Sequence, residues 1–328
     1  MLKRANELAC LGLGLTGSNP IVGAVIVSPA SEIIGEGFHK SGPHAEVVAL
    51  AEAGEAAKGA TLYVTLEPCN HQGKTGPCTE AIIKAGIAKV IYAVRDPNPL
   101  ASGGAKALEA AGIEVIFINV PEISNCNRAW LHKVKNNRPY FVWKIATTLD
   151  GRTAAIDGSS KWITCEESRA EVSKLRSESS AILIGTATAL ADNPNLIPKD
   201  LETTRQSNPV RIVMGLREIP SEFNLHNDAA ETVFLRTHDF AELLKLCAER
   251  GFNQVFVESG SELGTALLKA DLIDELVIFQ AASLLGSGQS FVGDLGATNI
   301  SEKVDFAIRA VAQFGNDLKI TLTKETGI

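Results

Sequence analysis

Short apolar runs and amphipathic stretches alternate along the first 120 residues. The runs IVGAVIVS, ATLYVTLE, KVIYAVRD and IEVIFI have the length and β-branched content of strands. Between them, HAEVVALAEAG, CTEAIIKAGI and GAKALEAAG place apolar residues at helical spacing. Strands so uniformly apolar are expected to be covered by helices on both faces, so the pattern predicts a layered α/β domain. After Val120 the chain turns polar without a sustained period, PEISNCNRAWLHKVKNNRPY, which reads as a link. A second β-rich series follows: YFVWKIATTLDG, SAILIGTATAL, PVRIVMG, AETVFLR, NQVFVESG and DELVIFQAA, separated by helical or loop stretches. The expectation is two α/β domains, residues 1–137 and 138–328, with no internal repeat and no low-complexity tract.

Composition narrows the function. A length of 328 residues with 45% hydrophobic and 21% charged content suits about two globular domains. Residues 1–138 carry 13 Lys+Arg against 12 Asp+Glu, leaving 18 against 26 for the rest, so nearly all of the net −7 lies in the second half. Neither half has the basic excess that a phosphate backbone demands, and aromatics are only 5%, so no nucleic-acid partner is expected. No apolar run approaches the roughly 20 residues of a membrane span. The first twenty residues are interrupted by Glu7 and show no long apolar core or small-residue cleavage site, so no export signal is expected. The six cysteines, at 10, 69, 78, 126, 165 and 247, are then expected to be reduced thiols in the cytoplasm.

Two of them belong to a candidate metal site. The apolar pattern of Val47, Val48, Leu50 and Ala51 predicts a helix whose first turn holds His44 and Glu46. A second helix is predicted to start at about Cys78, and Cys69 ends the strand-loop before it. Helix N-termini favour thiolate, the form zinc binds. One imidazole and two thiolates leave a fourth tetrahedral position for water, the catalytic rather than the structural arrangement. Glu46 need not bind metal: it can take a proton from the activated water and pass it to a ring nitrogen and then to a leaving amine. The combination points to hydrolytic deamination of an amidine-like carbon. Zinc deaminases usually carry two residues between the cysteines, whereas NHQGKTGP supplies eight here.

The motifs SNPIVGAVIV, PHAEVVAL, TLYVTLEPCNHQGKTGPC and DPNP resemble the deaminase half of the bifunctional riboflavin-biosynthesis deaminase/reductase family. KIATTLDGRTA, SSKWIT, AILIGTATALADNP and VESGSELGTALL resemble its reductase half, so the likeness covers almost the whole chain. It implies a cytidine-deaminase-like three-layer α/β/α domain followed by a dihydrofolate-reductase-like α/β domain. It implies deamination of a diamino-pyrimidinone ribosylamine 5′-phosphate, then NADPH reduction of the ribosyl chain to ribityl, in a homodimer. Asn19, His39 and Lys74 would meet the deaminase substrate. In the reductase half Thr147, Trp162, Thr188, Asp192, Gly260 and Leu263 would line NADPH. Lys144, as the catalytic residue, would face the substrate with Ser160, Arg176, Leu196, Lys199 and Glu258.

Four positions depart from that family pattern. Asn193 stands for an acid, Lys199 for an arginine at the substrate phosphate, Gly215 for an aspartate and Ser261 for a proline. They motivate an alternative, a monofunctional deaminase whose second domain is structural or dimerising. A nucleic-acid-editing deaminase and a structural zinc clip are disfavoured, the first by charge, the second by Glu46 and a three-ligand set.

Overall fold

The computed structural model describes residues 1–71, 76–99, 101–199 and 208–324. The chain divides into two compact units, Met1–Arg138 and Pro139–Ile328.

In the first unit, helix α1 (Leu2–Cys10) precedes β1 (Gly23–Val27), β2 (Ile33–Phe38), α2 (Ala45–Ala53), β3 (Thr61–Leu66) and α3 (Cys78–Ala85). Then come β4 (Lys89–Val94), α4 (Gly104–Ala110), β5 (Glu114–Phe117), α5 (Pro121–Cys126) and α6 (Arg128–Asn136). The sheet order is β2-β1-β3-β4-β5, antiparallel up to β3 and parallel beyond. Every residue of β1 is buried, as a central strand covered on both faces requires. One face packs against a cluster that includes Ala49, Leu62, Val64 and Ile82, the other against Ala5 and Leu8 of α1.

Strand β2 escapes the apolar pattern because its sequence, IIGEGF, is broken by glycines. The glycines are there for α2: a Cβ on Gly35 or Gly37 would lie 2.3 Å from the carbonyl oxygen of Ala49 or Ala45. The polar stretch after Val120, expected as a link, is helical instead. Ile123 and Trp130 drop into the first unit's core at single positions, too sparsely to register as a period. Packing of α1 on α5 also brings Cys10 and Cys126 together, Cα atoms 6.7 Å apart, and they form a disulfide rather than the expected pair of reduced thiols. Cys69, Cys78, Cys165 and Cys247 are free.

The second unit runs β6 (Tyr140–Thr147), β7 (Arg152–Ala154), α7 (Glu166–Ser177), β8 (Ala181–Gly185), α8 (Thr186–Asp192), β9 (Val210–Met214) and β10 (Thr232–Leu235). It continues with α9 (Phe240–Arg250), β11 (Gln254–Val257), α10 (Ser261–Lys269), β12 (Glu275–Ala281), β13 (Gln289–Ser290), β14 (Ala307–Phe314) and β15 (Asp317–Thr323). The run AILIGTATAL, read as β-rich, is strand only to Gly185; TATAL begins α8. The main sheet is ordered β10-β9-β8-β11-β6-β12-β15-β14, parallel from β10 to β12 and antiparallel after it. Apolar clusters cover both faces, one around Phe141, Leu183, Val255 and Leu267, the other around Ile182, Ile184, Val213 and Leu225.

Arg211 on β9 is fully buried, and among the described residues it has no carboxylate partner. Its guanidinium donates to the carbonyl oxygens of Asn224, Asn227 and Ala230 and to Asn227 Oδ1. Among the described residues no helix is long and apolar enough to cross a membrane.

Candidate functional site

In the first unit, His44 is the N-cap of α2, in an extended conformation (φ −71°, ψ 159°), and Cys78 is the first residue of α3. Cys69 lies in the loop after β3, where its Sγ accepts from the backbone N–H of Cys78 at 3.4 Å. The loop is tied down further by Thr79 N–H donating to the Cys69 carbonyl at 3.3 Å. His44 Nδ1 sits 3.2 Å from Cys78 Sγ and 3.5 Å from Cys69 Sγ. All three ligand atoms lie within 4.8 Å of one another, and among the described residues no other group of metal-ligating side chains comes together this way. A tetrahedral zinc with bonds of about 2.0–2.3 Å separates its ligand atoms by about 3.5–3.8 Å, so the donor set fits that ion.

The two sulfurs compete for one proton. The hydrogen bond from Cys78 holds the Cys69 thiol well below its ordinary value, with His44 adding to the effect, while that bond and burial push Cys78 up. A divalent cation in place of the shared proton lets both be thiolates. Glu46, in the first turn of α2, is 4% exposed, and burial raises its carboxyl above the ordinary range, with the Cys69 charge adding to the effect.

Asn19 and His39 lie beside this cluster. Asn19 Nδ2 is 3.3 Å from His39 Nε2, His39 Nδ1 is 3.1 Å from the Pro43 carbonyl, and the His39 and His44 rings meet edge to face at 5.4 Å. Both His39 nitrogens are therefore engaged within the unit, where a direct substrate contact was expected. Lys74 lies outside the described residues. The sequence reading missed two buried polar side chains. Glu67 accepts from the backbone N–H groups of Asp96 (3.3 Å) and Ala105 (3.1 Å), joining the EPC and DPNP segments. Asn127 bonds both backbone groups of Ile21 (3.3 and 3.2 Å), holding the segment after Asn19. The EPC motif itself was the available signal for Glu67; Asn127 had none, since its partner is 106 residues away.

The second unit contains a cavity of about 1040 Å³ along the carboxyl ends of its parallel strands, where open α/β sheets bind ligands. Lys144, Ser160, Arg176, Thr188, Asp192, Leu196, Glu258, Gly260 and Leu263 all line it. Arg176 and Glu258 form a two-pronged ion pair, Nε to Oε1 at 2.5 Å and Nη2 to Oε2 at 2.8 Å. Burial works to raise Glu258, but the Arg176 charge and hydrogen bond and the nearby Lys144 outweigh it, and the carboxyl sits below its ordinary value. Burial pushes the Lys144 ammonium down, against the pull of Glu258. Gly260 caps α10, whose N-terminus opens on the cavity with backbone N–H groups of the kind that suit anions.

Three expected residues do not line this cavity. Thr147 is 2% exposed and its hydroxyl is taken by the carbonyls of Thr148 and Arg152 at 3.2 Å. Trp162 is 74% exposed, at φ +70°, with the Arg169 guanidinium stacked 4.4 Å from its ring centroid. Lys199 is exposed, its backbone joined to Ser173. Conversely Met214, Arg217, His238 and Phe240 line the cavity unforeseen. Met214 ends β9, and Arg217, His238 and Phe240 follow β9 and β10; their position at or past a strand end was the only signal.

The departures from the family pattern find local reasons. Asn193 takes a left-handed conformation (φ +42°) and bonds Asn224 through its side chain and carbonyl (2.7 and 2.8 Å). At Gly215 (φ +134°) a Cβ would lie 2.7 Å from Thr186 Oγ1, so the residue that stands for an aspartate is matched to its neighbour. Ser261 Oγ accepts from Gln289 at 2.8 Å.

Residues 1–94 match the cytidine and deoxycytidylate deaminase zinc-binding region, and residues 139–320 match the RibD C-terminal domain. The chain is 42% identical to the riboflavin biosynthesis protein RibD of Mycobacterium tuberculosis, over 94% of this chain and 92% of that one. Among solved structures it is similar to Acinetobacter baumannii RibD (TM-score 0.90, 36% identity, 98% of this chain and 97% of that one). It is also similar to the diaminohydroxyphosphoribosylaminopyrimidine deaminase/5-amino-6-(5-phosphoribosylamino)uracil reductase of Thermotoga maritima (TM-score 0.89, 34% identity, 98% and 97%). A deaminase zinc site and a reductase domain on one chain, matched end to end at this identity, place it in the RibD family of bifunctional riboflavin-biosynthesis deaminase/reductases.

Proposed function

We propose that the first unit removes the 2-amino group of 2,5-diamino-6-ribosylamino-4(3H)-pyrimidinone 5′-phosphate and that the second reduces the ribosyl chain of the product to ribityl. The observation that carries the reading is the His44, Cys69 and Cys78 cluster with the buried Glu46 beside it. His44, Cys69 and Cys78 hold zinc, which when bound supplies Lewis-acid activation of water at neutral pH. Glu46 takes one proton of the attacking water and places it on the ring nitrogen, then carries the second, from the hydroxyl left on the carbon, to the amine, which leaves as ammonia while a carbonyl remains. Its raised pKa suits that exchange, because a carboxylate that binds its proton more firmly is a better base near neutrality. Asn19 meets the pyrimidine, and Lys74, outside the described residues, meets the phosphate.

In the second unit NADPH supplies the hydride, its phosphates at the α10 N-terminus near Gly260 and Leu263 and the remainder along Thr188 and Asp192. Lys144, already poised toward its neutral form by burial, gives the proton that opening of the sugar ring requires at the ring oxygen. The Arg176–Glu258 pair holds the sugar, with Ser160 and Leu196 alongside. The protein works on a free phosphorylated metabolite in the cytoplasm, as a homodimer, with neither nucleic acid nor membrane as partner. Departures at Asn193, Gly215 and Ser261 leave Lys144, Asp192 and Glu258 on the cavity wall, which favours an active second unit over a purely structural one.

Product mass spectrometry on the zinc-loaded chain tests the reading. Amine exchanged for oxygen without NADPH, and two further hydrogens with it, is the expected result. Oxygen exchange alone in both tubes would refute the reductase half.

A further inference from the structure

Two segments of the second unit reach the cavity from neighbouring parallel strands, residues 148–163 after β6 and residues 282–293 after β12. The first brings Ala154 and Ser160 to the cavity wall, the second Gln289 and Phe291. Backbone contacts join the two segments at both ends of the second. Leu149 N–H donates to the Ser283 carbonyl at 2.8 Å, and Phe291 N–H to the Gly151 carbonyl at 3.2 Å. Strand β13 pairs with β7 over two residues, and a Cβ on Gly288 would lie 2.1 Å from the Ala154 carbonyl oxygen. A pairing this short is marginal by itself. The tip between these ends is held by side chains. Asp150 Oδ1 accepts from Leu285 N–H at 3.1 Å and Oδ2 from Gly286 N–H at 2.7 Å, while Arg152 Nη1 donates to the Gly288 carbonyl at 3.3 Å. The carboxylate is itself aimed: the buried Thr148 hydroxyl donates to Oδ1 at 2.6 Å and accepts from Arg152 N–H at 3.0 Å. These donors, Thr148 first, bring the Asp150 carboxyl down to about 2, so it is charged at working pH and its bonds are charge-assisted. The second segment also touches α10, through the Gln289 and Ser261 side chains at 2.8 Å and Gly293 N–H donating to Thr265 Oγ1 at 2.8 Å.

We propose that Asp150 is a positioning residue for the cofactor: by holding the backbone of Leu285 and Gly286 it keeps residues 282–293, and with them Gln289 and Phe291, in place as cavity wall before NADPH arrives. Without that hold the segment samples other positions, and NADPH must select the arrangement that completes the wall. The apparent dissociation constant then rises in inverse proportion to the fraction of molecules with the segment in place. The inference rests on the reading that NADPH occupies this cavity.

The test uses the full zinc-loaded chain with the variants Asp150→Ala and Asp150→Asn. A segment in place about a tenth of the time raises the NADPH dissociation constant about tenfold, the rise expected for Asp150→Ala by nucleotide fluorescence. Asp150→Asn keeps one acceptor and should fall between Ala and the parent, which preserves the test if Asp150→Ala does not fold. Reduction of predeaminated substrate should recover its kcat at saturating NADPH, because Lys144, Arg176 and Glu258 lie outside both segments. Zinc content and deamination should not change. Hydrogen exchange without cofactor should quicken in residues 284–288 of the variants and not in β6 or β12, and saturating NADPH should slow it again. An unchanged dissociation constant in Asp150→Ala, a kcat that stays low at saturation, faster exchange throughout β6 and β12, or no slowing by NADPH would each overturn the proposal. A parent chain in which NADPH slows exchange nowhere around Gly260 would remove the cofactor from this cavity and the proposal with it; slowing there with unaltered binding in the variants would overturn the proposal alone.

Discussion

Glu258→Gln separates the electrostatics of the second unit from its shape. Gln keeps the volume and one acceptor but removes the negative charge that faces the Arg176 guanidinium, on side chains only 8% and 22% exposed. Lys144 stands close enough to feel the same carboxylate, so the variant leaves two cations facing each other on the cavity wall. Breaking a buried pair from one side costs about 3–5 kcal/mol, and the partial exposure of Arg176 argues for the lower end, about 3 kcal/mol. A domain of this size moves by about 2–4 °C per kcal/mol, so the melting temperature should fall by about 6–12 °C. Scanning calorimetry reads it, with the second unit's transition recognised by its rise on adding NADPH. Replacing both partners, Arg176→Met with Glu258→Leu, should restore most of the loss because the Arg176 guanidinium is no longer left facing Lys144 without its carboxylate. A Glu258→Gln transition within 2 °C of the parent, or a double variant that melts lower still, would refute the reasoning.

Other outcomes follow from the same geometry. Glu46→Gln should retain zinc by elemental analysis and lower deamination by about 10²–10⁴-fold, while reduction of predeaminated substrate continues. Gly264→Ala should destabilise the second unit by about 1–3 kcal/mol in urea titration, since its Cβ would lie 2.0 Å from the Trp143 ring. The folded-state pKa of Glu258 is depressed, so its contribution is complete above the unfolded value of about 4.3 and disappears as pH falls through the folded value. Acid titration of the parent should therefore show a loss of stability below about pH 4 that Glu258→Gln lacks.

The metal site is legible from local sequence signals. His44 and Glu46 share one helix start, and Cys69 and Cys78 bracket one loop, so spacing alone puts them together. Periodicity likewise marked the apolar strands. It failed at β2, where glycines serve the approach of α2, and at α5 and α6, where two buried side chains in a polar segment anchor whole helices. The cavity of the second unit was legible only through motif likeness. Its walls come from several separate strands and the segments that follow them, and residues such as Arg217 and His238 acquire their place from sheet order, which no local pattern records. Thr147, Trp162 and Lys199 show the converse, positions that match the motif but lie off the cavity wall.

Arg211 gives the second unit a fastening of a different kind from its ion pair. Its listeners are amide oxygens, which neither gain nor lose protons across the range in which enzymes live. Acid that neutralises Glu258 leaves this clasp shut. The stretch from Asn224 to Ala230 is thus gripped by a single guanidinium at several points, and it holds or releases as one piece rather than fraying residue by residue.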